Sequence, residues 1–484
     1  MDYAKVMSPS ATPQSEPIPG TAQVPNSAGG FAWALDDWGR LDRFLILGAE
    51  GGTYYIAPRQ LVLENANAAL RCLASDGPRA VERIAAVSES GRAPKNDPAV
   101  FALALAVARG DAPTKAAALA ALLRVCRIGT HLMQFVSALE ALTPAGPKDG
   151  HQPARGRYGR SVRRALARWY AQPVERLAYQ VTKYGTRVGW SHRDVLRMAH
   201  AEPVSVAHVT LFKYAVSESA ADLDLSSVPY LAAVEALGRA DGPKAAAALI
   251  REHRLPREVV EGANTEWLKD VGVWEALLPH MPMTAMVRNL GRMTANGVLA
   301  PLSAAAAHVV ATLGNSERIK AARVHPIALL SALRIYAQGH GERGGLAWEP
   351  VAQVVDALDA AFYGAFQNAP ETGRRLLLAL DVSGSMGGGT IAGIPSLTPA
   401  VGAAAMALVT AAREKQWAVM AFADEFRALD ISPGMRLDEV LRRTTGVNFG
   451  GTDCALPMQW ALKARVPVDA FLVYTDSETW AGTV

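Results

Sequence analysis

The sequence predicts two folds in series, a long array of short α-helices followed by a doubly wound α/β domain. From about residue 31 to 370, apolar residues recur every three or four positions, and almost no alternating strand pattern lies between them. From about 374 onward, continuous apolar runs alternate with helical patterns, which is typical of buried parallel strands. We therefore predict three parts: a disordered tail over 1–30, a helical domain over 31–370 and an α/β domain over 371–484.

The tail and the cysteines restrict the class of protein. The first residues, MDYAKVMSPSATPQSEPIPG, carry Pro, Ser and Thr where an export signal has an apolar core. The three cysteines, Cys72, Cys126 and Cys454, are far apart and form no CxxC pair, which indicates a reducing compartment. No apolar run is long and continuous enough for a transmembrane helix. We predict a cytoplasmic protein of 484 residues that needs no disulfides.

The helical domain is predicted from segments such as TKAAALAALLRVCR, SVRRALARWY and VAQVVDALDAAFYGAF, separated by Gly, Pro or Ser. No motif recurs at constant spacing. The pattern therefore favours a degenerate α-solenoid of the HEAT kind over a tetratricopeptide or ankyrin array, with a plain helical bundle as the alternative.

The α/β domain begins with the run RRLLLALDVS, and QWAVMAFAD and DAFLVYTD follow as further strands. Helical patterns lie between these strands, so the sheet should be parallel. In such a sheet, ligands bind beyond the carboxyl ends of the strands.

Oxygen-bearing side chains follow these strands. Asp381, Ser383 and Ser385 come after the first strand, Thr452 after a Gly-rich loop, and Asp476 at the end of the last strand. Two carboxylates and three hydroxyls, without His or Cys, favour a hard cation such as Mg²⁺ or Mn²⁺. Taken alone, DVSGS also fits a polar turn with a helix N-cap.

The order of these motifs resembles the metal-ion-dependent adhesion site (MIDAS) of von Willebrand factor A domains. That resemblance implies a protein-binding module in which a partner's carboxylate completes the metal shell. A haloacid dehalogenase-type phosphatase would require a second Asp where Ser383 stands. No histidine follows residue 376, so no Ser-His-Asp triad is present. We predict no catalytic residue; the alternative is a metal-dependent phosphatase or nuclease using Asp381 and Asp476.

Charge is segregated along the chain, although the net charge is only +4. The window 155–200 contains eleven Lys or Arg against Glu175 and Asp194, a net +9, whereas 376–484 carries a net −3. Arginines here alternate with aromatic residues, a composition suited to single-stranded nucleic acid. A solvated helix face with core aromatics is the alternative, but such a face normally mixes both signs. We select Arg160, Arg163 and Arg164 as candidate RNA contacts.

Spacing within this window predicts further local structure. Lys183 and Arg187 are four residues apart, so a helix there would place them on one face. Ser191 and Asp194 form a predicted capping pair. On the helix that follows, Arg193, Arg197 and His200 would share one side.

Long segments of the chain resemble the TROVE-domain proteins, the Ro autoantigen family, in its bacterial form. They are FLILGAEGGTYY, VTKYGTRVGWSHRDVLRMAH, MPMTAMVRNLGRMTANGVL, HPIALLSALRIYAQGHGERGGLAW and LDAAFYGAFQNAPETGRRLLLALDVSGSM. The resemblance implies a ring of HEAT-like repeats closed by a von Willebrand factor A domain. It also implies binding of Y RNAs on the outer surface and of single-stranded ends of misfolded RNAs in the central hole.

The resemblance assigns Y RNA contacts to Lys183, Arg187 and His200, and the metal to the five oxygen-bearing residues above. It implies a ribonucleoprotein without an active-site nucleophile, acting in noncoding-RNA quality control with a partner exoribonuclease. We expect a monomeric protein that binds neither DNA nor membranes. The family's A domain continues well past the last metal aspartate, whereas only eight residues follow Asp476 here, so we expect an incomplete domain.

Overall fold

The computed structural model describes residues 12–26, 29–48, 66–91, 93–143, 158–217, 220–342, 344–391, 394–423, 425–444, 452–476 and 479–483. Two compact units divide the chain. One comprises residues 35–277, and the other joins residues 1–34 to residues 278–484.

The N-terminal segment of the second unit contains a strand pair. Strand β1 (Gln23–Pro25) runs antiparallel to β2 (Phe31–Trp33). Backbone bonds attach the segment to the far end of the chain, since Gln14 N donates to Gly482 O at 3.1 Å. Composition predicts a disordered tail over 1–30. Residues 12–26 and 29–30 are nevertheless held in place, because their partners lie more than 400 residues away, where local composition carries no information.

The unit 35–277 is built from helices and one small hairpin. Its helices are α1 (Asp37–Leu47), α2 (Asn67–Ser90), α3 (Asp97–Arg109), α4 (Ala112–Ala120), α5 (Leu122–Val125), α6 (Gly129–Leu142), α7 (Arg160–Tyr170), α8 (Val174–Lys183), α9 (His192–Ala199), α10 (Val206–Ser217), α11 (Pro229–Gly238), α12 (Pro243–His253), α13 (Arg257–Ala263) and α14 (Val271–Leu277). Between α8 and α9, β3 (Thr186–Arg187) pairs with β4 (Trp190–Ser191).

Helices close in sequence pack together in this unit, as expected for helical repeats. Helix α1 packs on α2, α2 on α3, α3 on α6 and α7 on α9. Many ends are set by local caps: the Asp36 side chain accepts a hydrogen bond from Gly39 N at the start of α1, and Gly48 closes that helix with φ +79°. One continuous apolar core extends from Leu41 to Leu231.

The second unit contains helices and a mixed sheet. Its helices are α15 (Met283–Ala295), α16 (Ala304–Leu313), α17 (Ser316–Ala321), α18 (Pro326–Ala337), α19 (Ala352–Gly364), α20 (Pro399–Arg413), α21 (Leu437–Thr444) and α22 (Leu456–Lys463). Its sheet strands are β5 (Arg375–Asp381), β6 (Gln416–Phe422), β7 (Phe426–Ala428) and β8 (Ala470–Tyr474).

The sheet order is β7-β6-β5-β8, with β5 parallel to both β6 and β8. The three predicted strands are present, and the short antiparallel edge strand β7 is an addition that the apolar pattern does not reveal. The chain passes from β5 to β6 on one side, and β8 lies on the other side of β5. The topological switch point, where ligands bind in such sheets, therefore lies at the carboxyl ends of β5 and β8.

No helix in the described part of the chain combines the length and apolar character needed to cross a membrane.

Candidate functional site

Helix α7 turns one face to the core and an arginine face to solvent. The buried positions recur at helical spacing and are Val162, Ala165, Leu166, Trp169 and Tyr170. Of the three predicted contacts on this helix, Arg160 and Arg164 are exposed, and Arg163 is half-buried. The Nε atom of Arg163 is buried without a hydrogen-bond partner. Helix α7 thus presents cationic side chains from a rigid apolar base.

Helix α9 begins with the predicted capping pair. Asp194 N donates to Ser191 Oγ at 3.3 Å, and Ser191 N donates to Asp194 Oδ2 at 3.0 Å, which completes a capping box. Arg197 is exposed on the outer face of the helix. His200 is also exposed and occupies the C-cap with φ +50°, so it lies just beyond the last helical residue.

Lys183, the last residue of α8, is engaged by neighbouring side chains. Its Nζ donates to Tyr179 Oη at 2.8 Å and lies 3.8 Å from Glu258 Oε2. Only 14% of the side chain is exposed. Burial opposes the charge, but the Tyr179 hydrogen bond and the Glu258 carboxylate outweigh it, so the pKa of Lys183 lies above its ordinary value. The ammonium is held in place, and a small part of the side chain faces solvent.

Arg187 lies on a hairpin rather than on the helix that carries Lys183. Strand β3 pairs with β4 through a two-residue turn in which Val188 and Gly189 have φ of +48° and +78°. Positive φ at both central residues defines a type I′ turn, the turn that matches the twist of a short hairpin. Arg187 is exposed, and its Nη1 donates to Thr186 O at 2.7 Å. A shared helical face with Lys183 is therefore excluded.

The aromatic residues of the basic window divide by burial. Trp169 and Tyr170 are fully buried; Trp169 Nε1 donates to Cys126 O at 2.7 Å, and Tyr170 Oη is 2.9 Å from His192 Nδ1. These two rings belong to the core and are not available to stack on bases. Trp190 is half-buried and meets Tyr158 edge-on, with ring centroids 6.4 Å apart.

Several cations lie on α7 and α9. Among the described residues, Arg160, Arg163, Arg164, Arg193 and Arg197 form no ion pair. Some other arginines of the same unit do have acidic partners, as where Arg124 contacts both Glu82 and Glu89. Since α7 packs on α9 and the β3–β4 hairpin leads directly into α9, we call the exposed side of these three elements the basic face.

Four of the five predicted metal ligands meet at the switch point of the sheet. Ser383 Oγ is 3.1 Å from Ser385 Oγ, and Ser385 Oγ donates to Asp476 Oδ1 at 3.1 Å. Asp381 accepts from Ser383 N at 2.8 Å and from Thr475 Oγ1 at 2.6 Å. The ends of β5 and β8 thus bring together two carboxylates and two of the hydroxyls.

Thr452, the fifth predicted ligand, lies at the same edge of the sheet. It is 4% exposed, and the next residue, Asp453, donates its N–H to Ala423 O, directly after β6. The Gly-rich loop that precedes Thr452, 448–451, lies outside the described residues.

The donor set fits a hard cation. Asp381 is 3% exposed, and it forms no ion pair with Lys or Arg among the described residues. Buried carboxylates are normally paired or bound to a metal, so this position suits a cation. Within the same residues no cluster of three His, Cys, Asp or Glu side chains has metal-binding geometry. A cation at this edge would therefore need the Ser and Thr hydroxyls in addition to the two carboxylates.

Sequence patterns did not reveal that the N-terminal segment contacts this edge. Gln14 Nε2 donates to Asp453 Oδ1 at 2.5 Å and to Ala481 O at 2.7 Å. Asp453 is largely buried, and burial raises its pKa above the ordinary range. Gln14 thus helps to fix the position of Asp453, which directly follows the predicted ligand Thr452.

Comparisons with known proteins cover both units. A model of the TROVE domain matches residues 24–225 and 253–335, and a model of the Ro60 vWA domain matches residues 375–484. The chain is 38% identical over 483 residues to the RNA-binding protein RO60 of Deinococcus radiodurans, covering 99% of this chain and 88% of the relative. It is 33% identical over 528 residues to the protein of the same name from Caenorhabditis elegans, covering 96% and 81%.

The fold agrees with a solved relative. The crystal structure of the Deinococcus radiodurans RO (RSR) protein matches with a TM-score of 0.79 at 38% identity, covering 93% of this chain and 88% of that one. The match extends over helical and α/β parts alike and confirms the predicted fold class. With these matches the chain belongs to the TROVE-domain, Ro60 family.

Proposed function

We propose that this protein binds noncoding RNA through the basic face of α7, the β3–β4 hairpin and α9. The observation that carries the proposal is the set of arginines on α7 and α9 that have no acidic partner within the described part of the chain. Phosphates are the natural partners of such cations, because neutralising them releases counterions into solution. The relatives from Deinococcus radiodurans and Caenorhabditis elegans are both named RNA-binding proteins.

Each predicted contact has a distinct role in this proposal. Arg160, Arg163 and Arg164 contact phosphates from α7, and Arg187 does so from the hairpin tip. Lys183 offers a fixed ammonium, since Tyr179 and Glu258 hold it in place. His200 contacts RNA from the exposed end of α9.

The finer assignment rests on the family resemblance. We propose that the RNA is a Y RNA, or a misfolded RNA with a single-stranded end, and that a separate exoribonuclease supplies cleavage. The chain itself acts as a scaffold rather than as an enzyme. Incubation of the purified chain with labelled RNA and Mg²⁺ tests this: cleavage that disappears in Asp381→Ala would establish the nuclease alternative instead.

We propose in addition that Asp381, Ser383, Ser385, Thr452 and Asp476 hold Mg²⁺ or Mn²⁺. The bound cation would accept a further acidic ligand, such as a partner's carboxylate. This chain's own residues orient the ligands: Ser383 N and the Thr475 hydroxyl fix the Asp381 carboxylate, and Ser385 fixes Asp476.

Arginine substitutions test the RNA proposal. We expect the double variant Arg160→Ala/Arg164→Ala to bind a hairpin RNA with a single-stranded 3′ tail more weakly than the native chain does. The slope of log affinity against log salt should also fall in magnitude by about 0.7–0.9 for each lost phosphate contact. Fluorescence anisotropy at several salt concentrations measures both quantities.

The matched control is Arg71→Ala/Arg83→Ala, which removes two arginines of the same unit that are paired with Asp37 and Asp42. We expect this control to retain native affinity and native slope. Equal losses of RNA affinity in both double variants would mean that only the total charge of the chain determines binding. The assignment of RNA binding to the basic face would then be wrong.

A further inference from the structure

An apolar cavity opens beside the basic face. Its volume is about 580 Å³, within the range of sites that take small organic ligands. Residues of α9 and α10 line it together with Asp222 and Leu223, and its apolar residues include Leu196, Phe212 and Val216. Ala201, the residue after His200, also lines the cavity. One lining residue of the cavity is therefore the immediate neighbour in sequence of a predicted RNA contact.

Phe212 provides a fixed aromatic surface in this cavity. Its half-buried ring meets Tyr170 and His208 nearly at right angles, with centroids 6.0 and 6.1 Å away. His208 is itself held, because its Nε2 faces Gln172 O at 3.0 Å and its Nδ1 lies 2.8 Å from Ser205 Oγ. A carbonyl only accepts, so Nε2 carries the proton and Nδ1 accepts from the serine hydroxyl. The ring orientation of Phe212 is thus set before any ligand arrives.

Two cations flank the apolar surface. Arg197 on α9 and Lys213 on α10 both line the cavity and are exposed, and neither forms an ion pair among the described residues. Asp222 is the one acidic residue among the described residues of the lining. An apolar pocket with an aromatic surface, two cations and one carboxylate matches a nucleotide, which joins a flat base bearing N–H groups to an anionic phosphate.

The segment that carries Asp222 and Leu223 is ordered by local hydrogen bonds. Thr210 Oγ1 donates to Asp224 O at 3.4 Å, and Ser226 N donates to Asp224 Oδ1 at 3.0 Å. These bonds hold the segment that carries Asp222 and Leu223, so the pocket is formed in advance of binding. A preformed pocket avoids the entropy cost of ordering a loop.

We propose that this cavity receives the base of one unpaired nucleotide of the bound RNA. The base packs on Phe212, the adjoining phosphates contact Arg197 and Lys213, and Asp222 accepts an N–H of the base edge. The inference rests on the proposed RNA-binding function and adds a site that distinguishes unpaired from fully paired RNA.

Filling the cavity tests the proposal. Val216→Trp introduces a large side chain into the lining, and Phe212→Leu removes the aromatic surface while keeping an apolar residue of similar size. For a hairpin RNA with a single-stranded tail, we expect each variant to bind about tenfold more weakly, the order of one base–aromatic stack. For a blunt-ended duplex with the sequence of the same stem, which has no unpaired nucleotides, we expect native affinity.

Controls separate this inference from the proposed function. Val206→Trp makes the same change on α10 at a position that is 77% exposed and outside the lining, and should leave both affinities unchanged. If the native chain binds neither RNA, the proposed function fails. A different outcome is that the native chain binds both RNAs, while Val216→Trp and Phe212→Leu weaken binding of the tailed RNA no more than binding of the fully paired RNA. In that case only the cavity assignment fails.

The source of the nucleotide is tested by titrating AMP in parallel. If the cavity binds a nucleotide as part of an RNA chain, we expect AMP alone to bind weakly and to compete with the tailed hairpin. The opposite result would be that AMP binds tightly, that Val216→Trp abolishes AMP binding, and that the same variant leaves RNA affinity unchanged. The cavity would then be a site for free nucleotides, and the proposal would be overturned.

Discussion

At the scale of single residues, the surroundings of a side chain decide its role more than its type does. Trp169 and Tyr170 stand among arginines in the sequence, but both are fully buried. Tyr170 hydrogen-bonds His192, the first residue of α9, and so links the cores of α7 and α9. The arginines of the basic face depend on these buried contacts for their positions.

Burial of His192 makes stability depend on pH. The side chain is 3% exposed, and burial lowers its pKa from 6.5 to about 4. Below the unfolded pKa the unfolded chain binds a proton that the folded chain does not, so stability falls as pH drops from 6.5 to 4. This residue alone should cost roughly 2 kcal/mol between pH 7 and pH 5.

Urea unfolding at pH 7 and pH 5 measures this effect. We expect His192→Asn to be less stable at pH 7, because it loses packing, but to lose less stability on acidification than the native chain. His131, whose pKa burial also lowers to about 4, provides a second position for the same comparison. An unchanged pH dependence in both variants would contradict the assignment.

At the scale of elements, the hairpin between α8 and α9 combines exposure with backbone strain. Val188 occupies the first central position of the type I′ turn with φ +48° and is 57% exposed. A β-branched residue is unfavourable in this left-handed region, whereas Asn and Gly are favoured there. The strained residue directly follows Arg187, at the tip of the basic face.

Replacing Val188 with Asn should therefore stabilise the protein. Val188→Asn creates the favoured Asn-Gly turn, and we expect the free energy of unfolding to rise by roughly 1 kcal/mol. Denaturant unfolding measures the change. Gly189→Ala, which forces a Cβ into a position with φ +78°, should destabilise instead. A loss of stability in Val188→Asn would show that contacts of the valine side chain outweigh the strain.

At the scale of the whole molecule, charge and chemistry are segregated along the chain. The window 155–200 carries a net +9, and the segment 376–484 carries a net −3 and all five oxygen-bearing metal candidates. Anionic RNA and a divalent cation are therefore expected on different units. Substitutions should therefore remove RNA binding and metal binding separately, so the two proposals can be tested independently.

Metal binding should stabilise the chain. If Mg²⁺ or Mn²⁺ binds the folded state, a concentration one hundred times Kd should add about 2.7 kcal/mol and raise Tm. Differential scanning fluorimetry with and without the metal measures this rise, and Mn²⁺ electron paramagnetic resonance measures binding directly. Asp476→Asn should lose both signals, whereas Asp469→Asn, outside the proposed ligand set, should keep them. A native chain that gives neither signal would contradict the metal assignment.

The sequence alone determined the features that depend on neighbours along the chain. Helical periodicity, three apolar strands and the Ser191–Asp194 capping box are local patterns, and the structure has all of them. The order of the metal motifs along the chain also predicts that they meet, because parallel strands bring their carboxyl ends to one edge of the sheet.

The contacts between distant groups depend on how the chain folds in space. Lys183 contacts Glu258 of α13, the N-terminal segment joins residues 479–483, and α9 and α10 enclose the cavity around Phe212. The arginine positions could be predicted, but not that these side chains have no acidic partner among the residues that the structure describes. The physical reason is that ion pairing, burial and cavity shape depend on residues tens to hundreds of positions apart, whereas periodicity and capping act over a few residues.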